Sequence, residues 1–216
     1  MHARPAARQD ATEYKGVVVI SIVNYQASNL RSVKKALDYL EFESEITMDP
    51  DAVRKADKVL LPGVGHFAAT ARLESTGLRD AIREAITRGA PFLGICVGMQ
   101  WIFETSEESP QTPGLALFPG VCCRFPAGAK VPHVGWNSLE LAGPSRLLGE
   151  IESGAFVYFT HSYRAPVVEG TIATAEYAGP FSAAVERENV FGVQFHPEKS
   201  GETGLRILNT FGDKKC

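Results

Sequence analysis

Two short motifs carry the residue types that nucleophilic catalysis needs. The first is G-I-C-V-G at residues 94–98, where Cys96 lies between an apolar run and a segment that can open a helix. A nucleophile elbow requires this spacing, because the turning residue is strained and small flanking residues let a strand and a helix pass closely. The unpaired N–H groups of a helix N-terminus also favour a thiolate. Cys96 is therefore a candidate nucleophile, and the alternative is a small buried apolar residue.

The second motif is V-Q-F-H-P-E at residues 193–198, which follows a strand-like run. His196 suits the role of general base because imidazole titrates near neutral pH. Glu198 follows two residues later, across a proline that stiffens the loop, and can orient the imidazole. Cys96, His196 and Glu198 thus form a candidate triad for thiol acyl transfer, with no substrate specified by these residues alone.

A glycine-rich segment, P-G-V-G-H-F at residues 62–67, leaves the end of another predicted strand. The loop of Gly63, Val64 and Gly65 can present backbone N–H groups to an oxyanion, together with the N–H of Val97. The alternative is an ordinary strand-to-helix turn. The histidine of this segment is predicted to be a loop or capping residue rather than a second base.

Gln100 lies one turn beyond Cys96 on the predicted helix. Its side chain can point back at a pocket and hydrogen-bond an amino-acid substrate. The alternative is a solvated helix glutamine.

Strands and amphipathic helices alternate in the N-terminal half, which predicts a parallel sheet, whereas strand-like segments dominate after Leu115 and predict antiparallel pairing. The fold class is therefore predicted to be α/β, a single domain with a mixed, largely parallel central sheet, helices on both faces and an added antiparallel section in the C-terminal half. The predicted strands cover residues 16–23, 43–47, 58–61, 91–95, 121–125, 155–159, 171–177 and 183–186, with a turn at 188–189. The predicted helices start near residues 28–29, 50–51, 78, 97 and 201, and a surface loop covers 104–113.

Composition limits the possible classes of function. The chain has 216 residues, of which 44% are hydrophobic and 22% are charged, and this is ordinary for one globular domain. A net charge of −3 gives no electrostatic case for nucleic acid or an anionic membrane. No apolar run approaches the roughly 20 residues that span a bilayer. Residues 1–15 are predicted to be a disordered leader, and 16–216 the domain.

The four cysteines form neither a zinc spacing nor a disulfide framework, so no metal is expected and a reducing cytoplasm is the predicted setting.

The two catalytic motifs, G-I-C-V-G-M-Q and V-Q-F-H-P-E, together resemble the class I, triad-type glutamine amidotransferases. The resemblance implies a flavodoxin-like amidotransferase domain without a cofactor, in which Cys96 attacks the side-chain amide of L-glutamine and ammonia is released. It also implies that P-G-V-G is the oxyanion strand. The segment of His161, Ser162 and Tyr163 would line the glutamine pocket.

Two further segments, V-P-H-V-G-W-N at 131–137 and Y-F-T-H-S-Y at 158–163, resemble one branch of that family, the glutaminase subunits of imidazole glycerol phosphate synthase. The resemblance implies a heterodimer with a (β/α)8-barrel synthase subunit that uses the ammonia in histidine biosynthesis. Tyr163 and Lys199 would face this partner. From the residues alone, the tryptophan at position 136 is interpreted as core packing.

Three other interpretations remain open at this point. The chain could serve another amidotransferase, for anthranilate, vitamin B6 or nucleotide synthesis. It could be a redox or stress protein with an elbow thiol on a flavodoxin-like sheet, although such proteins lack the H-P-E segment. It could also be a catalytically silent binding subunit, against which the intact triad argues.

Overall fold

The computed structural model describes residues 18–26 and 29–213. Within these residues the strands are, in chain order, β1 (Ile20–Val23), β2 (Ser44–Thr47), β3 (Lys58–Gly63), β4 (Phe92–Cys96), β5 (Thr105–Ser106), β6 (Val121–Arg124), β7 (His133–Ser138), β8 (Glu140–Leu141), β9 (Phe156–His161), β10 (Tyr163–Arg164), β11 (Thr171–Glu176), β12 (Pro180–Arg187) and β13 (Val190–Val193). The α-helices are α1 (Leu30–Tyr39), α2 (Pro50–Lys55), α3 (Ala71–Ser75), α4 (Leu78–Thr87), α5 (Val97–Trp101) and α6 (Gly201–Gly212). Short 3-10 helices cover Phe67–Thr70 and Pro197–Lys199.

The main sheet has eight strands in the order β2-β1-β3-β4-β13-β12-β11-β8. The first five strands in that order pair in parallel, and the remaining pairs are antiparallel. The predicted α/β class and its mixed sheet are therefore confirmed.

The central strands are buried along their whole length because protein covers both faces of the parallel section. All residues of β1, β3, β4 and β13 are buried. This explains why they appear in the sequence as continuous apolar runs rather than as alternating patterns. Helices α1 and α6 contact one another, and α2 and α3 both contact α4.

The second half of the chain adds two small sheets, β10-β6-β5 and the antiparallel pair β7-β9. One face of the pair β7-β9 carries the exposed residues Val134, Trp136 and Phe156 and the partly exposed Tyr158; we call these four residues the apolar face. Trp136 is 55% exposed and its ring meets that of Tyr158 edge-on at 6.1 Å. The interpretation of Trp136 as core packing is therefore wrong, because more than half of this residue is exposed.

Most predicted elements are found with small shifts at their ends. The predicted first strand begins at Ile20 in the structure, and its start at Gly16 lies outside the described residues, as does the predicted leader. The predicted surface loop at 104–113 contains the short strand β5, because Thr105 and Ser106 pair with β6. In the described ranges, none of the helices combines the length and apolarity needed to cross a membrane.

Candidate active site

Cys96 ends β4 and immediately precedes α5, so it occupies a sharp strand-to-helix turn. Its backbone has φ 54° and ψ −108°, a conformation that non-glycine residues rarely adopt. The flanking glycines are needed because the chain crosses itself here. A Cβ atom at Gly94 would lie 2.5 Å from the carbonyl oxygen of Gly98, and one at Gly98 would lie 1.9 Å from that of Leu61. This geometry is that of a nucleophile elbow.

His196 reaches Cys96 because their strands are neighbours in the sheet. Strand β13 pairs in parallel with β4, with Val193 opposite Ile95, and His196 follows shortly after β13 ends. The backbone N–H of His196 donates to the carbonyl of Tyr158 at 2.9 Å, which fixes the position of this segment. Parallel strands that end at the same edge thus bring together residues that are remote along the chain.

The imidazole of His196 is held by Glu198, whose Oε1 accepts a hydrogen bond from Nδ1 at 2.8 Å. Both side chains are almost fully buried. Nε2 of His196 is buried and has no hydrogen-bond partner within the described ranges, so it is available to a reacting group. Burial lowers the pKa of His196, but its interactions with Cys96 and Glu198 outweigh burial and raise the pKa to about 9.

Glu198 is positioned in turn by Asn29, whose side-chain amide donates to the same Oε1. Asn29 precedes α1 with a left-handed backbone (φ 80°) and makes no side-chain capping bond to its own helix. The sequence indicated only that a helix starts near this residue. Its side chain instead supports the carboxylate.

The sulfur of Cys96 has two polar neighbours besides the imidazole. Sγ lies 3.9 Å from the carbonyl oxygen of Thr160, to which a thiol can donate. The side-chain amide of Gln194 donates to Sγ from 3.7 Å. Gln194 is fully buried, and it belongs to the V-Q-F-H-P-E motif without having been singled out in the sequence.

A cavity of about 200 Å³ opens beside Cys96, a size that suits one small polar molecule such as an amino acid. It is lined by Val64, Gly65, Cys96, Val97, Gln100, Glu108, Pro132, Thr160, His161, Ser162 and Tyr163. Of the residues predicted to form the oxyanion site and substrate pocket, the structure therefore brings all but Gly63 to this cavity.

Gly63 lies behind the nucleophile rather than in the cavity lining. It pairs with Cys96 across β3 and β4, and a Cβ atom there would lie 2.4 Å from the hydroxyl oxygen of Tyr25. Gly63 therefore permits close packing beneath the elbow. Lys199 is exposed at the end of its 3-10 helix and lies outside the lining too.

Gln100 is buried at the cavity wall, not solvated as its alternative interpretation held. Its amide nitrogen donates to the carbonyl of Tyr163 at 2.9 Å and to Oε1 of Gln194 at 3.0 Å. Both N–H donors are thus used within the protein. Only the carbonyl oxygen of the Gln100 side chain remains for a ligand.

Two buried histidines, His133 and His161, bond to one another at the cavity wall. Nδ1 of His161 bonds the carbonyl of Tyr163 at 2.8 Å, and its Nε2 lies 3.0 Å from Nδ1 of His133. Because a carbonyl can only accept, His161 donates through Nδ1 and accepts through Nε2. Burial lowers the pKa of His133 to about 4 and that of His161 to about 3, so both rings are neutral at pH 7.

Glu108 contributes the one acidic side chain among the lining residues. One of its oxygens accepts a hydrogen bond from the backbone N–H of Phe67 at 2.6 Å, which ties it to the end of the P-G-V-G-H-F segment. A carboxylate in this position can pair with an ammonium group in the cavity. His66 in the same segment accepts from Ala68 N at 3.1 Å and so caps a 3-10 helix, as predicted.

The sequence matches the family described as "Glutamine amidotransferase class-I" over residues 19–214. The chain belongs to the class-I glutamine amidotransferases. The predicted family is therefore confirmed.

Relatives of this amidotransferase include proteins named imidazole glycerol phosphate synthase subunit HisH. The one from Moorella thermoacetica is 49% identical over 197 residues, which cover 90% of this chain and 94% of the relative. The one from Caldanaerobacter subterraneus subsp. tengcongensis is 46% identical over 202 residues, which cover 92% and 100%.

Solved structures share the amidotransferase fold at low sequence identity. A crystal structure of a glutamine amidotransferase has a TM-score of 0.71 at 19% identity, over 92% of this chain and 100% of that chain. The glutaminase domain of Trypanosoma brucei CTPS with bound acivicin has a TM-score of 0.63 at 16% identity, over 90% and 93%.

Three polar residues of this amidotransferase site escaped the sequence reasoning, namely Asn29, Glu108 and Gln194. Gln194 could have been noticed because it lies two residues before His196 in a strand-like run, where a buried amide needs a partner. Glu108 gave no such signal, because it lies in an acidic, proline-bearing stretch that is typical of a surface loop.

Proposed function

We propose that this amidotransferase is the glutaminase subunit of an imidazole glycerol phosphate synthase, which hydrolyses L-glutamine to L-glutamate and ammonia. The observation that carries the proposal is the convergence of Cys96, His196 and Glu198 beside a cavity sized for one amino acid. The HisH relatives supply the identity of the synthase.

In the first half of the reaction, His196 acts as the general base that has already taken the thiol proton, and the Cys96 thiolate attacks the carboxamide carbon of glutamine. The tetrahedral intermediate collapses when the C–N bond breaks, and His196 returns the proton to the departing nitrogen, which leaves as ammonia. A pKa of about 9 keeps the imidazole protonated near neutral pH, ready for this transfer. The product is a γ-glutamyl thioester on Cys96.

In the second half, the neutral imidazole takes a proton from water, and the hydroxide oxygen attacks the thioester carbon. The C–S bond breaks, glutamate leaves, and the proton held by His196 stays beside the regenerated thiolate. Glu198 keeps Nδ1 protonated and oriented throughout, so Nε2 is the nitrogen that exchanges protons.

The oxyanion of both intermediates is assigned to backbone N–H groups of Val97 and of the loop that carries Val64 and Gly65, and the predicted role of Gly63 is reduced to packing. Val97 begins α5 directly after the nucleophile, and Val64 and Gly65 line the same cavity. Gly65 has φ 103°, which a residue with a side chain rarely adopts. We propose that this loop reaches its productive alignment only when the synthase and its ligand are bound.

Glutamine binding is assigned to the cavity wall. Glu108 would pair with the α-ammonium group, and the free carbonyl oxygen of Gln100 would accept a further hydrogen bond from the ligand. The segment of His161, Ser162 and Tyr163 closes the other side.

Ammonia in water is largely ammonium, which is not a nucleophile, so the product has to pass directly to the acceptor enzyme. The proposed partner is a (β/α)8-barrel synthase subunit in a cytoplasmic heterodimer. The apolar face adjoins the cavity, because β9 carries Tyr158 of that face and also Thr160 and His161 of the lining. An exposed apolar patch beside a cavity mouth is typical of a protein interface. Tyr163 and Lys199 are proposed to lie at its edge.

Glutamate release by the full chain, measured with and without a barrel synthase and its substrate, tests the proposal. We expect slow release alone, strong acceleration in the liganded complex, and loss of both in Cys96→Ala. Ammonia-dependent synthesis by the complex should survive that substitution, since it bypasses the thiol. Equal rates of glutamate release by the isolated chain and by the liganded complex would contradict the proposed coupling. Activation by a different synthase would assign the chain to a different biosynthetic pathway.

A further inference from the structure

A buried chain of side-chain amides runs from the segment beside the cavity to the nucleophile. The carbonyl oxygen of Tyr163 accepts from Nε2 of Gln100 at 2.9 Å. Nε2 of Gln100 also donates to Oε1 of Gln194 at 3.0 Å, and Nε2 of Gln194 donates to Sγ of Cys96 at 3.7 Å. Gln194 is fully buried and Gln100 is 3% exposed, so water competes little for these bonds.

The direction of each amide in this chain is set by chemistry. A backbone carbonyl can only accept, so Gln100 has to turn its nitrogen toward Tyr163. The second N–H of that nitrogen then faces Gln194, which has to accept the hydrogen bond through Oε1. The remaining nitrogen of Gln194 is thereby obliged to face the sulfur.

The two neighbours of the sulfur favour opposite protonation states. Thr160 presents a carbonyl oxygen 3.9 Å away, which favours the thiol because only S–H can donate to it. Gln194 presents an N–H donor, which favours the thiolate. Removing the Gln194 donor would leave only the His196 imidazole to favour the thiolate against this carbonyl.

We infer that Gln194 is a catalytic residue whose side-chain N–H stabilises the thiolate of Cys96, and that Gln100 is the positioning residue that holds Gln194 in this orientation. The inference deepens the proposed function, since it concerns the same nucleophile. It assigns to Gln100 a role besides contact with glutamine. The donor acts on the free enzyme and again when the thiolate departs from the thioester.

The test measures alkylation of Cys96 by iodoacetamide as a function of pH in the full chain, with the modified peptide quantified by mass spectrometry. Gln194→Met keeps the length of the side chain and removes the donor, and Gln194→Glu places a carboxylate against the sulfur. We expect the inflection of the alkylation rate against pH to move to higher pH in the order wild type, Gln194→Met, Gln194→Glu. At pH 7 the alkylation rate of Gln194→Met should be reduced about tenfold or more. If Gln194 only filled space, the inflection would not shift in this order, which follows the charge of the side chain at position 194.

Gln100→Met provides a second route that leaves the sulfur's own contacts in place. It should move the inflection in the same direction by a smaller amount, because Gln194 is then free to turn. Gln111→Met, on an exposed loop residue, is the matched control and should leave the profile unchanged. If Gln194→Met does not fold, as judged by circular dichroism, Gln100→Met alone decides. A wild-type profile in a folded Gln194 or Gln100 variant overturns the inference.

Alkylation needs no glutamine, so the two proposals can fail separately. A wild-type chain whose Cys96 reacts normally but which never releases glutamate with a synthase would contradict the proposed function, and the ranking of the variants would still test Gln194.

Discussion

The side-chain amide of Asn29 donates to Oε1 of Glu198, the same oxygen that accepts from Nδ1 of His196. The other carboxylate oxygen, Oε2, is buried without a hydrogen-bond partner in the part of the chain that the structure describes. One oxygen atom therefore links the start of α1 to the catalytic imidazole. Asn29 thus extends the hydrogen-bonded pair of His196 and Glu198 by one residue.

Asn29→Ala is expected to lower kcat for glutamate release about tenfold, because a buried carboxylate would lose one of its two donors. KM should change little, since Asn29 does not line the cavity. Steady-state kinetics over a range of pH would measure both effects. Asn209→Ala, on an exposed position of α6, is the control and should behave as wild type. An unchanged kcat in Asn29→Ala would show that Nδ1 of His196 suffices to hold the Glu198 carboxylate.

Gly98→Ala is expected to destabilise the chain by about 3 kcal/mol, because its new methyl group would lie 1.9 Å from the carbonyl oxygen of Leu61. It should also abolish glutaminase activity, since relief of the clash displaces Cys96. Gly128→Ala is the matched control, with φ 95° but open space around it, and should cost only about 1 kcal/mol with activity retained. Chemical denaturation of both variants would measure the difference, and equal losses would contradict this account of the elbow.

The buried pair His133 and His161 predicts a loss of stability in mild acid. Their pKa values are lowered to about 4 and about 3 in the folded chain, below the ordinary value of 6.5. The unfolded chain therefore binds more protons, and stability falls as pH drops from 6.5 toward 4, by up to about 1.4 kcal/mol per pH unit for each histidine. His196 adds little slope well below pH 6.5, because there it is protonated both in the folded chain, where its pKa is raised to about 9, and in the unfolded chain, where its pKa is the ordinary 6.5.

His133→Asn keeps a donor near the position of Nδ1 while it removes one titrating ring. The slope of unfolding free energy against pH should then fall to about half in this window. Urea denaturation at several pH values measures the slope. A variant with the full wild-type slope would mean that other groups cause the acid sensitivity.

Lys58 ties the end of the C-terminal helix to the start of β3. Its buried ammonium donates to the carbonyls of Phe211, at 2.6 Å, and Asp213. Lys58→Met is expected to destabilise the chain by about 2 kcal/mol, because charged donors to buried acceptors are lost. Lys34→Met removes a surface pair with Asp38 on α1 and should cost less than about 0.5 kcal/mol. Similar melting temperatures for the two variants would contradict the assignment.

Trp136→Ala is expected to weaken binding to the barrel synthase at least tenfold, because large aromatic side chains at an interface centre carry much of the binding energy. The intrinsic glutamate release of the isolated chain should stay the same, since Trp136 does not line the cavity. Tyr39→Ala is the control, because Tyr39 is 75% exposed on α1 but lies outside the apolar face. Calorimetric titration measures the affinity, and equal affinities for both variants would place the partner on another surface.

The sequence predicted the elbow and the order of the elements because both depend on local patterns. The small residues around Cys96 and the apolar runs of β1, β3 and β4 would be required in any chain with this turn and this buried sheet. The position of His196 after a strand could also be predicted, since it follows a strand-like run.

The remaining site residues depend on which distant strands meet. Gln194 faces Cys96 only because β13 pairs with β4, and Asn29 meets Glu198 only because the start of α1 lies beside the loop after β13. Trp136 was misjudged for a related reason. An apolar residue in a strand indicates that one face of the strand is buried, but not that the other face is covered within the same chain.

The pairing of β13 with β4 also bears on how this protein can change. After β4 and α5 the polypeptide builds the small sheets and the outer strands β8, β11 and β12 of the main sheet, and it then comes back beside β4 as β13. The four register pairs from Val190 with Phe92 to Val193 with Ile95 place the base irrespective of the path between them. Insertions in exposed turns of that excursion, such as the one around Gly128, should therefore be tolerated, whereas loss of a single residue from β13 would turn the imidazole away from the sulfur.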